Sequence, residues 1–125
     1  MERSLYDRLG GYDVIAGIVD DLFSRIRSDP QFARFGSGRS LDSSQRARQL
    51  LVDQLCALAG GPCIYIGRDM RTSHAGLNIT EGEWEANIKH TVTALKKFNI
   101  PQREQEEFLE MFTRYKQDIV ENPAL

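Results

Sequence analysis

The sequence is poor in the residues from which catalytic metal centres and disulfide scaffolds are built: 125 residues contain two histidines, two cysteines and one tryptophan. His74 and His90 stand in different segments and HExxH is absent, so a multi-histidine metal centre is excluded. No GxGxxG, Walker loop or GxSxG occurs, which leaves nucleotide binding and serine hydrolysis without their usual residues. Positive charge is not in excess, 16 Lys and Arg against 18 Asp and Glu for a net charge of -2, so nucleic acid is not an expected partner. No apolar run approaches the ~20 residues that span a bilayer, and the opening MERSLYDRLGG holds no apolar signal core. A soluble, cytoplasmic protein without a membrane partner is expected. Cys56 and Cys63 form neither a CxxC pair nor a ladder, and in the cytoplasm both are expected to be reduced.

What the chain does have is apolar spacing of one kind. With 41% hydrophobic residues it can bury a single core, and residues 1–125 are expected to form one domain. Ser4 and Asp7 open a short helix that Gly10-Gly11 stops. From Tyr12, the series Val14, Ile18, Leu22 and Ile26 describes a long amphipathic helix that ends at Asp29-Pro30. Phe32 and Phe35 fall in a turn-like stretch before the loop Gly36 to Ser40. A further helix runs from about Asp42 to Ala59 and stops at Gly60-Gly61-Pro62. Thr80 with Glu83 forms a capping box for a helix bearing Trp84, Ile88, Val92, Leu95 and Phe98, and a last helix carries Phe108, Met111 or Phe112, Tyr115 and Ile119. No window alternates as a half-buried strand must, so the fold class is all-α with four long helices.

Between the second and third of these long helices lies Cys63–Asn78, with little periodicity and one histidine, His74, at helical spacing from Met70. Taken alone, a lone histidine of this kind is more often a hydrogen-bonded structural group than a ligand. The functional reading is an iron ligand, since one neutral imidazole suffices where a tetrapyrrole supplies four nitrogens.

The segments LGGYDVIAGIVDDLFSRIRSDP and AGGPCIYIGRDMRTSHAGLNIT, with the helix containing His90, together resemble a group I truncated haemoglobin. The most specific piece is the order GGP, Tyr65, Gly67, Met70, His74 and Leu77. The resemblance implies a shortened globin, a two-over-two helical sandwich around one haem, with His74 as the proximal iron ligand and His90 not a ligand. It implies haem contacts from Phe23, Phe35, Ala47, Leu51, Leu55, Met70 and Leu77, with Arg48, Arg68 and Arg71 near the propionates and Tyr65 hydrogen-bonding at the rim. On the distal side the chain departs from the family: Leu22-Phe23 replaces a common Phe-Tyr pair, and Ala47 and Leu51 are apolar. Asn87 and Gln54 become the candidate distal donors. The implied function is reversible binding of a diatomic gas. An oxygen-dependent nitric oxide dioxygenase served by an unidentified reductase is the alternative, and a haem-free helical interaction module a third.

Overall fold

The structure, a computed structural model, describes residues 3–36 and 41–123. Ser4 is the N-cap of α1 (Leu5–Leu9), its hydroxyl accepting from the Asp7 N–H, and the helix closes on Gly10 at φ 111°, a left-handed value that suits glycine. α2 (Tyr12–Arg27) runs to the Asp29-Pro30 break, where Pro30–Phe32 form a 3-10 turn leading into α3 (Ala33–Gly36). α4 (Leu41–Leu58), α5 (Met70–His74), α6 (Glu81–Lys97), α7 (Gln102–Thr113) and α8 (Lys116–Ile119) follow. Among the described residues there is no strand, only an isolated parallel bridge between Thr80 and Asn122. The all-α expectation holds, and of the expected Gly36–Ser40 loop residues 37–40 lie outside the described residues.

Two helix pairs make the body: α2 packs on α4 and on α6, and α6 packs on α7. Their facing stripes supply the core, with Ile15, Ile18 and Val19 from α2, Val52 and Leu55 from α4, Ala94 and Leu95 from α6, and Phe108 from α7, all buried. Apart from Ala94, each of these side chains contributes roughly 1.5–3 kcal/mol on burial. At the α2–α6 contact Gly17 permits a close approach, since a Cβ there would stand 2.8 Å from the Phe98 ring. Outside the core, Arg48 on α4 grips Asp20 on α2 through two bonds of 2.8 and 3.0 Å.

Two expectations are corrected. Cys56 and Cys63 are joined in a disulfide, because the turn at Gly60-Gly61-Pro62 doubles the chain back and leaves their Cα atoms 5.7 Å apart. Room for the turn exists because Gly61 has no side chain; a Cβ there would press on Cys56 Sγ at 2.8 Å. The expectation of reduced thiols rested on the rarity of such bonds in the cytoplasm and did not weigh the approach that this turn brings about. The last helix, expected to be continuous, breaks after Thr113, and Tyr115 becomes the N-cap residue of α8. No Gly or Pro marks the break; beyond it α8 packs on α5, with Lys116 reaching Glu81 at 2.7 Å and Asp118 reaching Arg71 at 3.0 Å.

Candidate functional site

Sequence pattern did not foresee that His74 would close a helix of its own. α5 starts at Asp69, whose carboxylate caps the Thr72 N–H at 2.7 Å and is held below the ordinary range by that contact. One turn later the imidazole folds back along the helix. His74 Nδ1 lies 2.9 Å from the Met70 carbonyl oxygen and 2.9 Å from Ser73 Oγ. A carbonyl oxygen can only accept, so Nδ1 is the donating nitrogen, and in the neutral ring Nε2 then carries the lone pair. This is the tautomer that a metal-ligating histidine requires, with the ring oriented by a main-chain partner.

The second histidine is engaged elsewhere. His90 Nε2 stands 2.8 Å from Asp29 Oδ2, and the bond from His90, helped by the Gln31 N–H, holds the Asp29 carboxyl below its usual range. It ties α6 to the turn after α2.

A cavity of about 380 Å³ opens between the end of α4, the 65–70 segment and Tyr115, and it brings together three of the expected haem contacts, Gln54, Tyr65 and Met70. The Gln54 amide donates to Met70 Sδ at 3.3 Å, so it is spent on the helix that carries His74. The Tyr65 hydroxyl donates to the Arg68 carbonyl within its own loop, and Gly67 makes this possible because a Cβ there would overlap the ring. Burial pushes the Tyr65 phenol up, the nearby Arg68 opposing. Ile64 and Ile66, on either side of Tyr65 in the chain, are exposed.

Of the three arginines expected near the propionates, Arg48 is paired with Asp20 and Arg71 with Asp118, while Arg68 is exposed. Leu55 lies in the core, and Phe23 and Leu51 pack against it. Ala47 and Leu77 are half-buried, as is Phe35, whose ring lies 4.0 Å under the Arg34 guanidinium. On α6, which packs against the α2 helix bearing Phe23, Asn87 holds a buried side-chain oxygen without a hydrogen-bond partner. Such an orphan costs roughly 1–3 kcal/mol and marks a place where a polar partner belongs.

The residues that sequence reasoning missed surround the segment after His74. Arg34 donates to Glu83 at 3.0 and 2.7 Å, to the Leu77 carbonyl at 2.7 Å and to the Asn78 carbonyl at 3.1 Å. Glu83, the buried capping-box partner of Thr80, is held below the usual carboxylate range chiefly by that guanidinium. From the other side Glu121 accepts from the N–H groups of Asn78 at 2.7 Å and Gly76 at 3.2 Å, which keep its carboxyl below the ordinary value. Between these two contacts the segment turns through Gly76 and Asn78, both left-handed at φ 83° and 55°. Among the described residues no cluster of three or more His, Cys, Asp or Glu is placed to hold a bare metal ion.

Comparison with known proteins identifies the family and the fold. The model of the family described as "Bacterial-like globin" matches residues 4–121. A group 1 truncated hemoglobin, GlbN, of Nostoc sp. is 36% identical over 92 residues, covering 74% of this chain and 75% of that protein. The protein of the same name from Mycolicibacterium paratuberculosis is 29% identical over 106 residues, covering 85% and 76%. In fold, the chain is similar to the crystal structure of truncated hemoglobin from Tetrahymena pyriformis in its Fe(III) form, with a TM-score of 0.85 at 22% identity over 94% of this chain and 98% of that one.

Proposed function

The chain belongs to the bacterial-like globin family, in which its relatives are group 1 truncated hemoglobins, and from that premise we propose that it binds a diatomic gas reversibly on a haem held by His74. Family membership implies the haem itself. The observation that supports the His74 assignment is the 2.9 Å contact of Nδ1 with the Met70 carbonyl oxygen, which in the neutral ring leaves Nε2 as the lone-pair donor. The donor set fits the group: one neutral imidazole is enough for a tetrapyrrole, and His90 is already committed to Asp29. When bound, haem supplies an iron with one position open to a gas.

The chain's own part is to hold the imidazole, to keep water from the opposite side and to present or withhold a hydrogen bond there. Phe23, Ala47 and Leu51 withhold one. Asn87 is the polar group we assign to the gas side, supported by its unpartnered buried oxygen; turned over, the same amide presents its N–H at that point. Gln54, whose amide is spent on Met70, is not assigned there.

Absorption spectra of the purified protein and two variants test the reading. An intense Soret band is expected in the unaltered protein and in His90→Ala, with loss or displacement of the five-coordinate ferrous spectrum in His74→Ala. Stoichiometric haem with an unchanged ferrous spectrum in His74→Ala would overturn it.

A further inference from the structure

We propose that Arg34 and Glu121 are positioning residues for His74, clamping the main-chain strap of residues 75–79 from opposite sides and so setting the bond that the imidazole makes to haem iron. The inference rests on the reading that His74 is the iron ligand. The strap follows directly from the C-terminus of α5 and leads to the Thr80 cap of α6, and it has no regular structure of its own.

Its polar main-chain groups show what gives it shape. The Leu77 N–H returns to the His74 carbonyl at 3.2 Å, a single local bond. The other contacts come from far along the chain. Glu121 takes the N–H groups of Gly76 and Asn78, Arg34 gives to the carbonyls of Leu77 and Asn78, and the N–H groups of Glu121 and Asn122 donate to the Ile79 carbonyl at 3.0 and 3.1 Å. A carboxylate thus gathers the donors and a guanidinium the acceptors, each forming the stronger, charge-assisted kind of bond. Arg34 is held in turn by Glu83, and α5 is tethered by Arg71 to Asp118. Two left-handed residues within three positions let the strap present N–H groups to one side and carbonyls to the other.

The consequence reaches His74 because the strap begins at its own carbonyl. If either clamp opens, the residues after the histidine gain freedom, and the end of α5 on which the imidazole sits keeps its Arg71–Asp118 tether but is less firmly fixed relative to α6. Arginine is needed for its fork, which reaches a carboxylate and two carbonyls at once; a lysine ammonium keeps the charge and loses that reach.

The test uses the haem-loaded protein with Glu121→Gln, Glu121→Asp and Arg34→Lys. Resonance Raman of the ferrous form reads the iron–histidine stretch, and hydrogen exchange reads the amides of Gly76 and Asn78. In Glu121→Gln, amide exchange at both positions is expected to rise about tenfold, and the iron–histidine band to shift or broaden. Arg34→Lys is expected to move the band likewise, and Glu121→Asp to restore part of both signals. A band present in the unaltered protein that neither Glu121→Gln nor Arg34→Lys moves would overturn the clamp while leaving the ligand assignment intact. Absence of any iron–histidine band from the unaltered protein would instead overturn the assignment of His74, and the clamp with it.

Discussion

Opening the Cys56–Cys63 bond offers a sharp test of how the 63–70 segment is braced. The bond spans a sequence separation of seven and therefore closes a loop of eight residues. In the chain-entropy description a loop of that size withdraws about 8 cal/mol/K from the unfolded chain, or about 2.5 kcal/mol at 25 °C. A chain of 125 residues unfolds with an entropy of about 0.26 kcal/mol/K near its midpoint, so the loss corresponds to about 9 °C in Tm. Cys63→Ala is the cleaner variant, because Cys56 is fully buried and its sulfur stays in the core. Circular dichroism melting at one fixed iron state should show the drop, and titration of thiols in denaturant without reductant should rise from none to one. Two thiols in the unaltered protein, or a Cys63→Ala midpoint within about 2 °C of the parent, would refute the reasoning.

Gly17→Ala places a methyl 2.8 Å from the Phe98 ring and is expected to destabilise by about 1–3 kcal/mol, measured by chemical denaturation. For Glu83, the folded carboxyl titrates below its unfolded value, so its contribution is full above that value and is lost as pH falls through the folded one. Glu83→Gln should therefore lower stability by about 1 kcal/mol at neutral pH, Arg34 being half-exposed, and the gap to the parent should close under acid; a gap that widens there would contradict the pairing. Phe23→Tyr adds a donor on the proposed gas side and should slow oxygen release by about one to two decades, since a hydrogen bond to a charged acceptor is worth roughly 1.5–3 kcal/mol. Stopped-flow release unchanged in that variant would remove Phe23 from the gas side, whereas faster release in Asn87→Val would support the amide as donor.

The elements most legible in the sequence were those decided locally. Ser4, Gly10, the Asp29-Pro30 break and the Thr80–Glu83 box each act within a few residues, and the helices begin and end where they indicate. Apolar spacing marked the core faces for the same reason. The break after Thr113 was not legible, because no Gly or Pro marks it and the ion pairs that accompany it, from Lys116 to Glu81 and Asp118 to Arg71, join positions 35 and 47 apart. The disulfide escaped because its two cysteines meet only once the Gly60-Gly61 turn has doubled the chain back. At the candidate site, the motif around His74 pointed to that residue, yet only the folded structure shows which ring nitrogen is engaged. Arg34 and Glu121 gave no signal at all: an arginine and a glutamate on the surface look the same in a sequence whether they hold a strap or face water.

The origin of the strap's contacts also bears on the order in which the molecule becomes competent. The bonds from Arg34 and Glu121 to residues 76–78 join positions 43 to 45 apart in the chain, from opposite directions. Contacts of such separation form late, after local helices have grown, because loop closure must precede any gain from them. During synthesis the histidine and α5 emerge well before Glu121 does. Until that carboxylate arrives, the strap has only half its clamp, and a ligand meeting the nascent site finds an imidazole on a loose tether. Haem capture is thus expected to lag behind the growth of helix and to report the completion of folding.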